Sequence, residues 1–302
     1  MDYKEKYKTE LVVNWHITEA CNYHCHYCFA KWDKQKNELL NDNESVSKLM
    51  DEIQGLPSIL NDKYMTEFKS VRLNLVGGET FLNTRKVIRI IHHARQRGFV
   101  LSAITNGSRL NSELIELIAD SFSSIGFSVD SLDSDTNTKI GRIEKSKVMD
   151  THKVLLDIKA IKKINPRIDI KINTVVSSLN KSEDLSRFIE QVAPDKWKVF
   201  KVLPVLTHDN NISQDDFARF LERHQSFSDV ISSENNDEMT DSYLMIDPIG
   251  RFFQNSNVGE GYLYSKPIPQ IGIRAAINEI NFDVSRFHGR YKNKRIDMRE
   301  IS

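Results

Sequence analysis

The run Leu11-Val12-Val13-Asn14-Trp15-His16-Ile17 leads, after three residues, into Cys21-Asn22-Tyr23-His24-Cys25-His26-Tyr27-Cys28. The first run is rich in β-branched and aromatic residues, which is typical of a strand. The second run contains all 3 cysteines of the chain. Three thiolates cannot fill a four-position site for tetrahedral zinc or for an iron–sulfur cluster. The sequence therefore predicts a strand that ends in a metal site with one position open to another ligand.

The composition of the 302-residue chain is that of a globular protein, with 39% hydrophobic and 28% charged residues. Its 42 basic and 42 acidic residues balance, so general affinity for nucleic acid or for an anionic membrane is not expected. Residues 1–10 are polar and charged, and no apolar run is long enough to span a bilayer. Clustered cysteines without an export signal favour a reducing compartment. We therefore expect a cytoplasmic protein with neither a membrane nor a nucleic acid as its partner.

Apolar strands alternate with amphipathic helices along most of the chain. The predicted strands cover residues 11–17, 71–76, 99–104, 125–129, 168–176 and 197–203. The predicted helices cover residues 45–56, 154–164 and 185–192 and the segments around Val87 and Leu114. This alternation predicts parallel βαβ units and an α/β fold. We expect a partial (β/α)6 barrel with functional residues at the carboxyl ends of its strands, although periodicity alone does not distinguish it from a doubly wound sheet.

The alternation stops at Thr207, where polar loops begin. We therefore divide the chain into a barrel core, residues 1–206, and a C-terminal extension, residues 207–302, that packs on the core as part of one structural unit. The extension is predicted to contain a helix and a hairpin. The helix covers residues 217–221, and the two strands of the hairpin cover residues 243–246 and 251–254.

A structural zinc site is the alternative use of the cysteines, with His24 or His26 as the fourth ligand. Zinc sites usually take their ligands as two separated pairs, and the chain has no second pair of cysteines. Three neighbouring cysteines without any metal are the remaining alternative. We favour a metal site because the chain has no cysteine elsewhere.

The pattern C-x3-C-x2-C, followed by an aromatic residue just past a first strand, resembles the radical S-adenosylmethionine (SAM) superfamily. The resemblance implies that Cys21, Cys25 and Cys28 bind three irons of a 4Fe–4S cluster. The fourth iron would then be chelated by the amino and carboxylate groups of SAM. The open position predicted above is thus the position that this superfamily uses.

A second motif, Gly77-Gly78-Glu79-Thr80, follows the second predicted strand and resembles the Gly-Gly-Glu motif of the superfamily. The resemblance implies that Gly77, Gly78 and Glu79 contact the methionine amino group of SAM. Glycines let the backbone approach a ligand, and a carboxylate suits an ammonium ion. The superfamily commonly has proline at the position of Thr80. A Gly-Gly-Glu turn alone is a weak signal, but the cysteine motif upstream makes the pair specific.

Several short runs, in the order of the family, extend the resemblance to viperin and its prokaryotic relatives. They are Asn22-Tyr23, Thr105-Asn106-Gly107-Ser108, Ser128-Val129-Asp130-Ser131, Ile140-Gly141-Arg142, Lys171-Ile172-Asn173, Trp197-Lys198-Val199-Phe200, Phe220-Leu221-Glu222-Arg223-His224 and Asp241-Ser242-Tyr243-Leu244. The resemblance implies a nucleotide dehydratase of the lyase type that converts CTP, UTP or GTP to the 3′-deoxy-3′,4′-didehydro form in antiviral defence. A 5′-deoxyadenosyl radical would remove the 4′ hydrogen of the ribose. An external reductant of the flavodoxin or ferredoxin type would supply electrons to a monomeric enzyme.

The resemblance also implies SAM contacts at the ends of the third and fourth strands. Asn106, Ser108 and Ser128 carry small polar groups that can bind ribose hydroxyls and the methionine carboxylate. Ordinary strand-to-helix capping is the alternative, because Asn and Ser favour such turns. Arg142 would clamp a phosphate or the SAM carboxylate, or else form a surface salt bridge.

A nucleoside triphosphate needs cations that converge from several elements. The candidates are Lys31 past the cysteines, Lys171 with Asn173 on the fifth strand, and Lys198 on the sixth. The sequence does not separate Lys31 from Lys34, and the resemblance to viperin favours Lys31. Lys171 and Asn173 are two residues apart and share a face of the strand, which in a closed barrel must look into the interior. A solvated surface lysine is the alternative at each position. Tyr243 would hydrogen-bond near the substrate ribose, or else pack in the hairpin.

The tail from Asn281 is basic. It is either a solvated terminus or, as the resemblance implies, a lid that closes over the triphosphate.

Two competing functions remain. Other radical SAM enzymes modify peptides or mature cofactors, and they often carry extra cysteines for auxiliary clusters, which this chain lacks. A zinc-stabilised nucleic-acid-binding protein would need a basic stripe, which the neutral charge balance does not favour.

Overall fold

The computed structural model describes residues 9–28, 37–202, 210–234, 241–255 and 262–289. The chain forms two compact units. The first contains the described residues of 9–20, 37–103 and 241–289, and the second contains those of 21–28 and 104–234. Within these described ranges, no helix is long and apolar enough to cross a membrane.

The strands are β1 Glu10–His16, β2 Ser70–Val76, β3 Val100–Thr105, β4 Phe122–Ser128, β5 Ile143–Glu144, β6 Lys147–Val148, β7 Asp169–Val176, β8 Lys196–Lys201, β9 Ile231–Glu234, β10 Leu244–Ile246, β11 Phe252–Asn255 and β12 Tyr262–Tyr264. The α-helices are α1 Asn43–Gln54, α2 Leu56–Tyr64, α3 Thr84–Gln96, α4 Ser112–Ser121, α5 Ser134–Ile140, α6 Thr151–Ile164, α7 Ser186–Val192, α8 Gln214–Arg223, α9 Ile268–Ile271, α10 Ile273–Ala276 and α11 Val284–Gly289. Single-turn 3-10 helices lie at Leu39–Asn41 and Gln225–Phe227.

In the first unit the strand order is β12-β11-β10-β1-β2-β3. Strand β1 is parallel to both of its neighbours, and β3 is parallel to β2. Strands β11 and β12 extend the sheet with antiparallel pairing. Every residue of β1 is buried, which is expected of a central parallel strand. Helix α1 begins at Asp42, whose carboxylate accepts a hydrogen bond from the backbone N of Ser45 and caps the helix.

In the second unit the strand order is β4-β7-β8-β9, and all neighbouring strands are parallel. Burial alternates along β7, where Ile170, Ile172 and Thr174 are buried while Lys171 and Asn173 are half-buried. We refer to these four paired strands of the second unit as the second sheet. Because successive side chains of a strand point to opposite faces, the second sheet has one largely apolar face and one polar face.

The six predicted strands are confirmed as β1 to β4, β7 and β8, and so is the α/β class. The predicted hairpin is confirmed as the antiparallel pair β10 and β11. Periodicity missed the strands β5, β6, β9 and β12 and the helices α2, α5, α9, α10 and α11. Helix α5 buries only Asn137 and Ile140, so its sequence shows no apolar repeat. The predicted division between residues 206 and 207 stays a prediction.

The described part of the basic tail packs in the first unit. Helix α11 buries Phe287, whose ring meets that of Phe68 edge-on at 5.7 Å and that of Phe282 at 5.5 Å between centroids. This part of the tail therefore contributes to the hydrophobic core, in contrast to the expected solvated terminus. Residues 290–302 lie outside the described residues, so the lid stays a prediction.

His224 is fully buried in the second unit, edge-on to Trp197 at 4.9 Å between ring centroids. Its Nε2 accepts a hydrogen bond of 2.9 Å from the backbone N of Leu185, and its Nδ1 lies 2.8 Å from the carbonyl oxygen of Phe220. These partners require a neutral ring with the proton on Nδ1. Burial is the main cause that lowers the pKa of His224 below its ordinary value of 6.5.

We expect the free energy of unfolding to fall as the pH drops below 6.5, because the unfolded chain then binds a proton at His224 that the folded chain resists. The loss through this residue is at most about 2 kcal/mol at pH 5. The variant His224→Gln should be less stable than the wild type at neutral pH but should lose less on acidification, as measured by urea unfolding at both pH values. His92 is exposed, so His92→Gln should keep the wild-type pH dependence. If His224→Gln lost as much unfolding free energy on acidification as the wild type, the attribution of this loss to His224 would be contradicted.

Candidate active site

The cysteine loop, residues 21–28, belongs to the second unit. Cys21, Cys25 and Cys28 are all half-buried and form no disulfide. The backbone N of Cys28 donates to the carbonyl oxygen of Cys25 at 3.2 Å, which closes a tight turn between the second and third cysteines. The backbone N of Tyr23 donates to the Sγ of Cys21 at 3.4 Å. Such amide donors stabilise the charge of a thiolate.

The cysteine loop is held along the C-terminal end of α5. The backbone N of His24 donates to the carbonyl oxygen of Gly141 at 2.9 Å, and that of His26 donates to the carbonyl oxygen of Ile140 at 3.1 Å. Gly141 has a φ of +94°, and a Cβ at this position would overlap the carbonyl oxygen of His24. Only glycine combines this left-handed conformation with such a close approach of two backbones.

A buried ion pair contacts the cysteine loop. The side chains of Asp130, after β4, and Arg142, after α5, are 1% and 6% exposed. The Nε of Arg142 donates to the Oδ2 of Asp130 at 2.7 Å, and its Nη2 donates to the same oxygen. The Nη1 of Arg142 donates to the carbonyl oxygen of Ser128 at 3.1 Å. The hydroxyl of Tyr27, in the cysteine loop, also donates to the Oδ2 of Asp130. One carboxylate oxygen therefore joins the loop to the arginine.

Burial and charge act together on the ionisable groups of this region. Burial opposes the charge of Arg142, but the Asp130 carboxylate offsets this effect and raises the pKa of the guanidinium. Burial, with Asp130 nearby, raises the pKa of Tyr27, so the phenol keeps the proton that it donates. Burial also raises the pKa of the Cys25 thiol to about 11, although Arg142 acts in the opposite direction. A metal that binds Cys25 must therefore displace a proton.

Two of the predicted SAM residues contact the cysteine loop. The Nδ2 of Asn106 donates to the Oδ1 of Asn22 at 3.1 Å and lies 4.0 Å from the Sγ of Cys21. The Nδ2 of Asn22 in turn lies 3.1 Å from the Oγ of Ser108 and 3.0 Å from the Oε2 of Glu144, and it donates to these acceptors. The hydrogen bond from Asn22 is the first of several causes that lower the pKa of Glu144. The loop is thus fixed at the first cysteine by neutral amides and one carboxylate.

The Gly-Gly-Glu turn lies after β2 in the first unit. Its backbone pairs with the residues just before the cysteine loop: the N of Gly78 donates to the carbonyl oxygen of Thr18 at 2.8 Å, and the N of Glu79 donates to that of Ala20 at 2.9 Å. A Cβ at Gly77 would lie 2.5 Å from the Thr18 oxygen, and a Cβ at Gly78 would overlap the Ala20 oxygen. Both glycines are therefore required by the close approach of two backbone segments.

Two carboxylates fix this part of the first unit. Glu79 is 1% exposed, and its Oε1 accepts a hydrogen bond from the backbone N of Phe81 at 3.0 Å. The Glu38 carboxylate accepts hydrogen bonds from the Oγ1 of Thr18 at 2.9 Å and from the backbone N of Glu19 at 2.7 Å. The chain that enters the cysteine loop is therefore anchored through its backbone.

The polar face of the second sheet brings three predicted residues into one row. Ser128, Asn173 and Lys198 lie opposite one another in register on β4, β7 and β8. Paired residues of parallel strands point to the same face, and Lys171 shares that face because it lies two residues before Asn173. The Nζ of Lys171 donates to the Oγ of Ser124 at 3.2 Å. All four predicted residues are half-buried, so this face carries a strip of positive charge and polar groups.

A family model described as the Radical SAM superfamily matches residues 15–176. A protein of Psychrobacter lutiphocae named S-adenosylmethionine-dependent nucleotide dehydratase is 62% identical over 283 residues, which cover 94% of this chain and 95% of the relative. The chain belongs to the radical SAM superfamily and to its family of nucleotide dehydratases. A relative of the same name from Pseudoalteromonas ulvae is 38% identical, with 94% of each chain covered. One from Oncorhynchus mykiss, named S-adenosylmethionine-dependent nucleotide dehydratase RSAD2, is 31% identical over 95% of this chain and 82% of its own.

Solved structures of radical SAM proteins share the fold. The structure titled native anSMEcpe with bound AdoMet and Kp18Cys peptide has a TM-score of 0.67 at 13% identity, with 93% of this chain and 82% of that chain covered. Streptococcus suis SuiB bound to the precursor peptide SuiA has a TM-score of 0.63 at 14% identity, with 95% and 69% covered. At this identity the likeness concerns the fold alone, and it confirms the predicted partial barrel. Membership of the radical SAM superfamily assigns SAM as a ligand.

The remaining predicted residues of this radical SAM protein are placed as follows. Lys31 lies outside the described residues. Tyr243 is half-buried and directly precedes β10 in the first unit. Asn106 also caps its own turn, since its Oδ1 accepts a hydrogen bond from the backbone N of Ser108 at 2.9 Å. Arg142 forms a salt bridge, as the alternative for this residue predicted, but the pair is buried and does not lie at the surface. Its role toward SAM stays a prediction.

Sequence reasoning missed four side chains that hold the radical SAM motifs in place. They are Asn22, Glu38, Asp130 and Glu144. Asp130 stands within a run that carried the resemblance, and an acidic residue directly after a strand was a usable signal. Glu38 and Glu144 lie in segments without periodicity, so no sequence pattern pointed to them.

The close backbone contact at the Gly-Gly-Glu turn predicts that alanine at Gly78 destabilises the protein much more than alanine at Gly55, which is also in the first unit. Replacing Gly78 with alanine should lower the free energy of unfolding by about 1–3 kcal/mol or more, because the Cβ would overlap the backbone oxygen of Ala20. Gly55 is the matched control, since it has a right-handed helical conformation and a Cβ there would lie 3.5 Å from the Glu52 oxygen. Gly55→Ala should stay within about 1 kcal/mol of the wild type. Urea unfolding measures both, and equal stabilities would refute the close approach.

Proposed function

We propose that this protein is a radical SAM nucleotide dehydratase that converts CTP, UTP or GTP to its 3′-deoxy-3′,4′-didehydro form in antiviral defence. The observation that carries the proposal is the 62% identity, over 94% of the chain, to a relative named as a SAM-dependent nucleotide dehydratase. The relative named RSAD2 supports the same reaction class at a greater distance. The antiviral role follows from the resemblance to viperin.

Cys21, Cys25 and Cys28 are the proposed ligands of a 4Fe–4S cluster. Their thiols are partly exposed and free of disulfides, and a backbone amide already donates to one sulfur. Among the described residues, no three His, Cys, Asp or Glu side chains are grouped as they would be around a single metal ion. A cubane cluster takes one thiolate on each of three irons, so it does not need such a group. The donor set therefore fits the cluster.

The protein's own residues bind and orient SAM in this proposal. When bound, the cluster and SAM together supply a one-electron cleavage that yields a radical able to remove hydrogen from carbon. The proposed SAM contacts are Gly77, Gly78, Glu79, Asn106, Ser108, Ser128 and Arg142. In support, Asn106 and Ser108 hydrogen-bond to Asn22, the neighbour of the first cysteine. In the first unit, Gly77 and Gly78 hold the turn against the backbone of Thr18 and Ala20, directly before the cysteine loop.

The polar face of the second sheet is the proposed site for the triphosphate and ribose. Lys171, Asn173 and Lys198 share this face, and partial burial of two cations carries an electrostatic cost that a polyanion would offset. Lys31 and Tyr243 are proposed as further substrate contacts on the strength of the resemblance.

The remaining proposals concern partners and compartment. An external one-electron reductant of the flavodoxin or ferredoxin type supplies electrons, because all 3 cysteines belong to the proposed cluster and none remains for a second one. Cysteines without disulfide bonds fit a reducing compartment, so we place the protein in the cytoplasm. The monomeric state is proposed on the strength of the resemblance.

The proposed function is tested with protein reconstituted with iron and sulfide without oxygen. Incubation with SAM, reductant and one nucleoside triphosphate at a time should give 5′-deoxyadenosine and a nucleotide lighter by one water for CTP, UTP or GTP. Mass spectrometry detects both products. Cys25→Ala should lose both the iron and the activity. A wild-type protein that binds no iron, or one that cleaves SAM without changing any nucleotide, would overturn the proposal.

Lys198 and Lys201 lie on opposite faces of β8. Variants at these two positions distinguish the loss of a substrate contact from the loss of a positive charge as such. Lys198→Met should raise the KM for the triphosphate about tenfold or more with a smaller change in kcat, because one charge-assisted contact to phosphate is lost. Lys201 is the control, since it lies on the opposite face and its Nζ is 3.4 Å from the Oε1 of Gln214. Lys201→Met should keep the wild-type KM. Equal KM values for the two variants would place the triphosphate elsewhere.

A further inference from the structure

Tyr27 is the residue between the second and third cysteines that reaches away from the loop. Its hydroxyl donates to the Oδ2 of Asp130. The turn on which it lies is closed by the hydrogen bond from the backbone N of Cys28 to the carbonyl oxygen of Cys25. Holding the Tyr27 side chain therefore restrains the turn that carries Cys25 and Cys28.

Asp130 is itself held from several directions. Its Oδ1 accepts a hydrogen bond of 2.8 Å from the backbone N of Val175, and its carbonyl oxygen accepts one of 2.6 Å from the Nδ2 of Asn180. Its Oδ2 accepts from Arg142 as well as from Tyr27. Asp130 is 1% exposed, so these partners replace the water that would otherwise solvate it. The carboxylate is a rigid anchor, and Tyr27 is the partner on it that the cysteine loop provides.

A second contact supports the same segment. The loop backbone lies against residues 140–141 through the amides of His24 and His26. Gly141 makes this approach feasible, because any side chain there would overlap the His24 oxygen. The two contacts act on the same short stretch, one through the backbone and one through a side chain.

We propose that Tyr27, Asp130 and Arg142 form a latch that holds the cysteine loop in its cluster-binding conformation before any metal is bound. Tyr27 is a positioning residue, because it acts through the neighbouring cysteines and not on the reacting atoms. The latch lowers the ordering entropy that cluster assembly would otherwise cost. The latch depends on one part of the proposed function, namely that the cysteine loop binds an iron–sulfur cluster.

The variant Tyr27→Phe removes the hydroxyl and keeps the ring. The Asp130–Arg142 pair stays intact in this variant, so the fold should survive, and thermal unfolding of the metal-free protein should match the wild type within a few degrees. In the metal-free protein, alkylation of Cys25 and Cys28 should be about tenfold faster, in line with the loss of one hydrogen bond to a charged group. Mass spectrometry of the digested protein measures each cysteine separately. Tyr64→Phe, in the first unit, is the matched control and should keep the wild-type rates.

The loaded protein gives a second and independent measurement. Iron should leave Tyr27→Phe for a chelator about tenfold faster than it leaves the wild type. The electron paramagnetic resonance spectrum of the reduced cluster should broaden, because the cysteines no longer hold one geometry. A merely structural role of the hydroxyl would not change this spectrum in a protein of unchanged thermal stability.

Two glycines test the backbone contact in the same assay. Gly141 and Gly98 both have positive φ values, +94° and +72°, but a Cβ at Gly98 would meet nothing within 4 Å. Gly141→Ala should therefore speed the alkylation of Cys25 more than Gly98→Ala does. Wild-type alkylation rates and wild-type iron release in Tyr27→Phe would overturn the latch while leaving the proposed function intact. A wild type that binds no iron, with faster alkylation in Tyr27→Phe, would overturn the function and leave the latch.

Discussion

The buried ion pair between Asp130 and Arg142 is the interaction on which the cysteine loop in the second unit depends. Its carboxylate joins the end of β4 to β7 through Val175 and to the loop through Tyr27. Two charges removed from water are stable only when their remaining polar atoms are satisfied. Loss of either partner would leave an uncompensated buried charge, at a cost of about 3–5 kcal/mol. The pair therefore ties the geometry of the loop to the integrity of the surrounding fold.

The glycines serve a different constraint, which is the contact of backbone with backbone. Gly78 in the first unit lies against Ala20, and Gly141 in the second unit lies against His24. Each glycine costs about 0.5–1 kcal/mol of chain entropy relative to alanine. The cost is offset by amide hydrogen bonds that hold the residues before and within the cysteine loop without side chains.

The fold was predictable wherever burial alternates with a regular period. Strand β7 is an example, since its alternation of isoleucine with Lys171 and Asn173 is both a sequence pattern and the observed burial. Helix α5 was not predictable, because it buries only two of its residues. In the candidate site, the cysteine spacing predicted a metal-binding loop, which stays a prediction, but the pairing of Arg142 with Asp130 was missed. Such pairing depends on where β4 and α5 end in space, and that position has no local signature in the sequence.

The polar face of the second sheet carries charge that stability alone does not explain. Lys171 lies directly opposite Lys196 in register, and Lys198 follows on the same strand face. Like charges directly opposite on neighbouring strands are destabilising, and partial burial weakens the screening by water. On β7 and β8 this face carries three lysines, at positions 171, 196 and 198, against one acidic residue, Asp169. A bound polyanion reverses the sign of this term, because the same cations then attract the ligand instead of repelling one another. In the proposed function, this attraction would contribute to the binding of the triphosphate.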